Sequence, residues 1–482
     1  MYRIIILNCL FVLASNLLVA QSGDGSPYSR IGIGEQNNAN NIIGLSMGNT
    51  GICLSDSNTL NTLNPASYAF IGRNRPIFGV NLGGRFTSYS TSSSGNSSSQ
   101  NIGLRSISFG FPVGKNMGLS FGISPLSSVG YDINYQEPLS GTESDSVTYY
   151  YQGNGGLNRV HLGTAITLLG RNRLTKKLDK PEKKLSIGIN AAYNFGTINR
   201  IRQLDFNSNS YLDAYTERTI SLNALNIETG LLFSDVFRVK ETISINDTVK
   251  TIIKNSPWKY SIGATYKLGS SLNAETSLLS YSTSFGSGFL LDTVEYISSQ
   301  NGTITLPTTM GIGFNLEYSS PDNDTSRNPL KKARRFVFEA NYKTTDWSSY
   351  SESFGGVTST DQLANSSLFA IGFMYQPNDL RRRGSKTRFY EYTQYRLGFN
   401  YQKTYLNLQN TQLTNYGMSF GLGIPLANAG MKNASMINFG LELGSKGTFD
   451  NNLIKENYLG CYLGLTLTPG IYNRWFVKRK YD

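Results

Sequence analysis

Histidine, cysteine and long apolar segments are all scarce in this chain. Its 482 residues include one histidine and three cysteines, of which Cys9 lies in the apolar N-terminal segment. The two remaining cysteines, Cys53 and Cys461, are too few for the disulfide framework of a small exported domain. His161 is the single histidine, and no cysteine cluster accompanies it. The sequence therefore predicts no metal site and no haem or other cofactor.

Long apolar runs are missing beyond the first twenty residues. A membrane-spanning helix needs about 20 consecutive apolar residues, so the sequence excludes a helical membrane protein. The first twenty residues have the form of an export signal, because Arg3 supplies a positive charge and residues 4–19 are mostly apolar. We expect residues 1–20 to be a signal peptide that is cleaved before Gln21.

What the chain has instead is an alternation of apolar residues with small or polar ones. Near the C-terminus, Ile437, Phe439, Leu441 and Leu443 alternate with Asn438, Gly440, Glu442 and Gly444. Successive side chains of a strand point to opposite faces, and a membrane barrel exposes every second residue to lipid. The 30 tyrosines and 25 phenylalanines suit the aromatic girdles of such a barrel, and the 49 glycines suit a crowded inner face. We predict an all-β protein, a transmembrane antiparallel β-barrel in the cell outer membrane.

Fifteen segments carry this alternation, whereas single-chain bacterial barrels have an even number of strands. We predict about 14 strands, with 16 as the alternative, in a barrel that spans residues 76–470. The count is left open by the stretch 218–256, where residues 240–250 fit either a further strand or a loop hairpin. The fifteen segments are 76–88, 101–113, 116–128, 157–169, 184–197, 218–234, 257–268, 271–284, 306–318, 335–346, 366–376, 389–402, 412–424, 434–446 and 457–468.

The chain is basic, with a formal net charge of +12. Much of the excess lies in four short clusters, at 171–184, 331–335, 381–388 and 474–480. On an exported barrel, such clusters lie in solvated turns and contact lipid head groups, and no basic groove with interleaved stacking aromatics accompanies them. We expect outer-membrane lipids as a partner and no nucleic acid, and we assign residues 471–482 to a basic C-terminal tail.

Residues 21–75 lack the alternation and precede the first strand. They include Met-Gly-Asn-Thr-Gly at 47–51, Asp-Ser-Asn at 56–58 and Asn-Pro-Ala at 64–66. Seven apolar residues of this segment require burial, and a barrel of 14 strands is wide enough to hold a plug. The seven are Ile42, Ile43, Leu45, Met47, Ile52, Leu54 and Leu63. We expect residues 21–75 to fold into the barrel as a hatch.

The order of these motifs resembles the FadL/TodX family of outer-membrane transporters for hydrophobic compounds, to which the PorV barrel of the type IX secretion system is related. The resemblance implies a 14-stranded barrel with a hatch whose signature is Asn64, Pro65 and Ala66. In that family, the ligand leaves sideways through a gap at a kink in the third strand. The corresponding kink would lie at Ser124 and Pro125, where proline interrupts the hydrogen-bond ladder.

The resemblance implies passive transport of small hydrophobic molecules, similar to fatty acids, across the outer membrane. Two departures support an alternative: the inward positions are mostly small or polar, and residues 470–482 follow the last strand. The alternative is a plugged barrel that does not transport and acts as a structural, assembly or secretion accessory, with other outer-membrane proteins as partners. Nothing in the sequence pairs His161 with a serine and an acid, so we do not predict an enzyme.

Overall fold

The computed structural model describes most of the chain between residues 25 and 469. The described ranges are 25–37, 41–72, 75–92, 95–114, 116–139, 145–170, 183–245, 248–284, 290–319, 334–360, 363–378, 389–426 and 435–469. The expected signal peptide, 1–20, and the basic tail, 471–482, lie outside the described residues. In the part of the chain that the structure describes, no helix is both long enough and apolar enough to cross a membrane.

Within the described ranges, nineteen strands join into one continuous sheet. They are β1 Glu35–Gln36, β2 Ile77–Ser90, β3 Ser97–Val113, β4 Met117–Pro138, β5 Ser146–Leu169, β6 Lys184–Phe206, β7 Asp213–Ile245, β8 Thr248–Lys267, β9 Ser270–Thr283, β10 Leu290–Leu306, β11 Thr309–Ser319, β12 Arg335–Thr345, β13 Ser351–Phe354, β14 Val357–Ser359, β15 Ser366–Gln376, β16 Gln394–Leu408, β17 Thr411–Pro425, β18 Met436–Lys446 and β19 Lys455–Leu467. The helical elements are α1 Ile42–Leu45, α2 Phe389–Tyr392, and 3₁₀ turns at Pro27–Arg30, Pro65–Phe70, Trp347–Ser349 and Asp450–Asn452.

Fourteen of these strands close into an antiparallel barrel, namely β2 to β8, β11, β12 and β15 to β19. The ring closes where β19 pairs with β2, from Lys455 opposite Ser90 to Leu467 opposite Phe78. Backbone groups in hydrocarbon must find partners within the protein, and a closed sheet supplies them. The prediction of a 14-stranded transmembrane barrel is confirmed, and the alternative of 16 is wrong.

The segment 271–284 is not a separate wall strand, which corrects the count of fifteen. It forms β9, which pairs with residues 213–223 of β7, while β8 pairs with residues 228–245 of the same strand. β8 and β9 therefore pair with successive parts of the same edge of β7, and β10 pairs antiparallel with β9. Of the stretch that left the count open, residues 240–245 and 248–250 are described, and they lie in the paired ends of β7 and β8.

The alternation has the predicted orientation. Leu441 and Leu443 are 50 % and 54 % exposed on the outer surface, whereas Asn438 on the same strand is 2 % exposed. Arg396 and Glu339 are both buried on the inner side of the wall. An arginine that faced lipid at mid-depth would cost about 2–4 kcal/mol, so the charges of the wall are kept inside.

The strands extend further at one end of the barrel than at the other. We call the end at which β2 begins and β19 ends the near end, and the opposite end the far end. At the far end, β4 to β7 continue well beyond their neighbours, and β9, β10, β13 and β14 add to the extension. Long extensions are typical of the extracellular side of outer-membrane barrels, so the far end faces the outside of the cell.

Inward-facing glycines form a belt around the lumen, and the N-terminal residues 25–72, called the plug, pack against it. A Cβ added at Gly263 would lie 2.9 Å from the Ile52 carbonyl oxygen, and one at Gly110 would lie 2.9 Å from Leu60 Cδ1. At six more wall positions the added carbon would overlap the plug: Gly118, Gly188, Gly230, Gly372, Gly398 and Gly421. The plug therefore touches the wall at the level of the backbone, and no larger residue fits there.

This packing predicts that Gly398→Ala destabilises the protein, because the added methyl group meets the backbone of Gly48. Overpacking of this kind costs about 1–3 kcal/mol. Gly103→Ala on β3 is the matched control, since nothing lies within 4 Å of its new Cβ. Urea unfolding in detergent, followed by the heat-modifiable mobility of the barrel on gels, measures both variants. Equal stability of the two would contradict the proposed contact.

Candidate functional site

The plug fills the lumen in two layers. The lower layer, residues 41–72, packs against the glycine belt in the near half, and the upper layer, residues 25–37, lies towards the far end. Five of the seven apolar residues that the sequence predicted to be buried are buried, and Leu54 and Leu63 are half-buried. The lumen is therefore a packed core rather than an open pore.

Asn64 holds the lower layer together and joins it to the wall. Its Oδ1 accepts a hydrogen bond from Ala66 N at 3.0 Å and so caps the turn Pro65–Phe70. Its Nδ2 donates to Ile52 O at 2.8 Å within the plug and to Leu231 O of β7 at 3.2 Å. Asn64 is fully buried, so its side chain satisfies backbone groups that water does not reach.

Pro65 and Ala66 form the face of the lower layer that touches the wall. Pro65 opens the turn, a position where its missing N–H is not required. Gly188 of β6 stands directly against both residues, and Ser186 Oγ of the same strand donates to Ala66 O at 2.9 Å. The structure places the three residues of the Asn-Pro-Ala motif in one wall contact, while the role of this motif in hatch movement stays a prediction.

Glu339 of β12 is a second anchor, which sequence reasoning missed. Its Oε1 accepts from Gly51 N at 3.0 Å and from Cys53 N at 2.9 Å, and its Oε2 accepts from Asn315 Nδ2 at 3.3 Å. Its register partner on β15 is Gly372, a member of the belt. The available signal was a carboxylate in the middle of the inward positions of a predicted strand, but the sequence does not reveal its partner.

The upper layer closes the far half of the lumen with apolar packing. Tyr28 and Ile33 are buried in a cluster with Trp347, Tyr405 and Leu406 of the extracellular side. The rings of Trp347 and Tyr405 stack at a centroid distance of 4.4 Å, and the Tyr28 hydroxyl donates to a wall carbonyl, Ile454 O, at 2.6 Å. The upper layer is therefore held by an apolar cluster, part of which also lines a cavity.

β3 and β4 separate at the place where the sequence put a kink. They pair over residues 107–113 and 117–123, and in the described residues the ladder goes no further. Ser124 is buried and Pro125 half-buried just beyond this point, and Leu126 is the extra residue of a bulge in the pairing with β5. The passage of a ligand through this gap stays a prediction.

The upper layer occupies part of the edge that β4 exposes beyond the kink. β1 pairs antiparallel with Ser127 and Ser128, and Asn37 N donates to Leu126 O at 2.9 Å. The plug thus takes the place that β3 leaves beside β4.

A cavity of about 220 Å³ lies behind this gap, and its walls are charged. Arg85 Nη1 donates to Glu35 Oε1 at 2.8 Å, and Lys446 Nζ lies 3.5 Å from the same oxygen and 3.7 Å from Glu456 Oε2. Burial by itself would raise the pKa of the Glu35 carboxyl, but the charges of Lys446 and Arg85 outweigh it and lower that pKa to about 2. Glu35 is therefore ionised at neutral pH and ties the upper layer to the wall.

A second cavity, of about 160 Å³, adjoins the first, and Gln36, Asn37, Leu368 and Gln402 line both. Its lining includes Pro65 and an ion pair between Arg159 and Glu228, with Lys267 and Lys343 nearby. The first cavity is lined by Pro125 instead. The two predicted motifs therefore border adjoining cavities, and Leu126, the neighbour of Pro125, lines the same cavity as Pro65.

His161 is a buried residue of the wall. Its Nε2 lies 3.2 Å from Ser120 Oγ, and it is 4 % exposed. The pair faces the plug rather than an open cleft, so a substrate has no access to the serine.

The Asn64 contacts predict that Asn64→Ala loosens the lower layer. Loss of an N-cap costs about 1 kcal/mol, and the buried carbonyls of Ile52 and Leu231 lose their donor. Limited proteolysis should cut residues 41–72 faster than in the parent protein. Asn273→Ala, at an exposed position of β9, is the control, and equal cutting of both variants would refute the anchor.

The ion pairs of Glu35 predict that the upper layer of the plug is held less firmly at low pH. The pKa of Glu35 in the folded protein, about 2, lies below its ordinary value of 4.5. The stabilisation is therefore complete above pH 4.5 and is lost as the pH falls towards 2. Pepsin cleavage of residues 25–37 should rise across this window, and less steeply in Glu35→Gln. The control is Glu137→Gln, at an exposed position of β4, which should show the same pH profile of cleavage as the parent protein. The same profile in Glu35→Gln would contradict the role assigned to Glu35.

Comparison with solved structures supports this fold. A TodX deletion mutant, titled a monoaromatic hydrocarbon channel, is 13 % identical with a TM-score of 0.50, and the match covers 89 % of this chain and 99 % of that one. The Ralstonia pickettii toluene transporter TbuX is 15 % identical with a TM-score of 0.49, covering 89 % and 98 %. A Pseudomonas aeruginosa FadL homologue is 11 % identical with a TM-score of 0.49, covering 90 % and 98 %. Such low identities show the fold alone, and the match to the TodX mutant shows a barrel of the same architecture.

No curated protein matches the sequence. The family model described as BamG matches residues 1–482. The chain therefore belongs to the BamG family.

Proposed function

We propose that this protein is a plugged outer-membrane barrel that does not transport and that acts as a structural or assembly accessory for other outer-membrane proteins. The observation that carries the proposal is the filled lumen. The lower layer rests on wall backbone through the glycine belt, and the upper layer fills the far half with an apolar core.

The chemistry of the remaining space also favours this proposal. A site for a hydrophobic molecule is lined mostly by apolar side chains with a few polar groups. The cavity behind the gap carries instead Arg85, Glu35 and Glu456. The second cavity combines Arg159, Glu228 and two lysines with many apolar side chains, so only the first cavity contrasts with a hydrophobic site. An apolar ligand in the first cavity would desolvate its charges without pairing them, which is costly.

The second candidate is passive transport of small hydrophobic molecules with release to the side. The observation that favours it is the gap between β3 and β4 at Ser124 and Pro125. Transport through this gap requires the upper layer to leave β4, because β1 occupies the edge at Ser127 and Ser128. It also requires a path through the apolar far-end cluster.

The two candidates predict different outcomes in cells and in bilayers. For the accessory role, we expect the purified protein to show no conductance in planar bilayers. We expect deletion of the protein to leave uptake of hydrophobic carbon sources unchanged and to lower the amounts of other outer-membrane proteins. Uptake that falls in the deletion strain while outer-membrane composition stays normal would establish the transport candidate instead.

A further inference from the structure

The gap between β3 and β4 has two unpaired strand edges that face each other. One edge belongs to residues 97–106 of β3, which pair with β2 on their other side, and the second belongs to residues 124–138 of β4. We call this feature the open seam. The upper layer of the plug covers a short part of the β4 edge, whereas in the described residues no strand pairs with the β3 edge along 97–106.

The inner part of the β3 edge, around Ile102 and Leu104, lies within the membrane, whereas the polar residues 97–101 lead to the far end. Leu104 stands opposite Leu82 across the β2–β3 ladder, and these side chains are 43 % and 45 % exposed on the outer surface. Backbone N–H and C=O groups at this depth have no water to bond with, so an unpaired edge is strongly unfavourable in lipid. Neither a hydrocarbon chain nor a small apolar ligand supplies donors and acceptors for it.

The chain itself shows what kind of group the seam accepts. β1 binds the opposite edge as an antiparallel strand at Ser127 and Ser128. Asn37 N extends this pairing with a bond to Leu126 O at 2.9 Å. The seam therefore admits an added strand on the β4 side, and in the described residues no strand pairs with the β3 side around Ile102 and Leu104.

We propose that the β3 edge at 97–106 binds an extended segment of another outer-membrane polypeptide, which pairs with it as an added strand. The occupant must be amphipathic with a period of two. Its inward side chains are polar, because they meet the cavity that holds Arg85 and Glu442, and its outward side chains are apolar, because they meet lipid beside Leu104. This inference rests on the proposed accessory function and names the surface through which it acts.

A photo-crosslinking amino acid, introduced one position at a time into the full-length protein in cells, tests the seam. The probe positions are Gln100, Ile102 and Leu104 of β3, and the control positions are Phe439, Leu441 and Leu443 of β18, which face lipid in a fully paired part of the wall. Mass spectrometry of the adducts identifies the cross-linked residue at each position. Heat-modifiable mobility confirms that every variant has folded.

Strand pairing predicts a specific pattern of cross-linked positions. Each move of the probe by two residues along β3 should move the cross-linked residue on the partner by two residues, because paired strands keep a fixed register. The control positions should give lipid adducts without such a progression. Seam adducts that contain only lipid or only residues 25–37 of this chain would overturn the proposal.

Two further outcomes separate this inference from the function on which it rests. Protein adducts at the β18 positions with none at the seam would refute the seam as the docking surface and leave the accessory role standing. An absence of protein adducts at both sets of positions, together with lost uptake in the deletion strain, would refute both.

Discussion

Direct contact between the backbone of the plug and the backbone of the wall is the constraint on which the rest of this structure depends. It requires glycine at the inward positions of many strands, for example Gly118 against Tyr68 and Gly398 against Gly48. Because side chains alternate along a strand, fixing these positions inside also fixes which residues face lipid. The plug therefore belongs to the core of the protein, and the barrel and its contents form one packed unit.

Charge inside the lumen follows from the same arrangement. The wall cannot place ionised groups in lipid, so they lie inside, where the plug supplies partners for several of them. Glu339 accepts from the backbone of the lower layer, and Arg85 and Lys446 hold Glu35 of the upper layer. The remaining space is divided between a cavity of about 220 Å³ with charged walls and one of about 160 Å³ that mixes charged and apolar side chains. These features favour a closed barrel with an accessory role over a conduit for apolar molecules.

Much of the fold could be predicted from the sequence, because alternation records directly which face of a strand meets lipid. The error at 271–284 arose because a half-exposed extracellular hairpin alternates in the same way as a wall strand. Residues 389–392, placed at the start of a strand by the pattern, form a helical turn instead. The site was less predictable: Glu339 bonds to Gly51, 288 residues earlier in the chain, and no local pattern reveals such a partner.

The plug as an integral part of the core is the central claim, and hydrogen–deuterium exchange of the protein in lipid nanodiscs tests it most directly. If the account is right, the amides of Gly48, Gly51 and Cys53, which bond to wall side chains, exchange as slowly as those of the barrel strands. Exchange of these amides within seconds, while the strands stay protected, would show a loosely held plug and contradict the account.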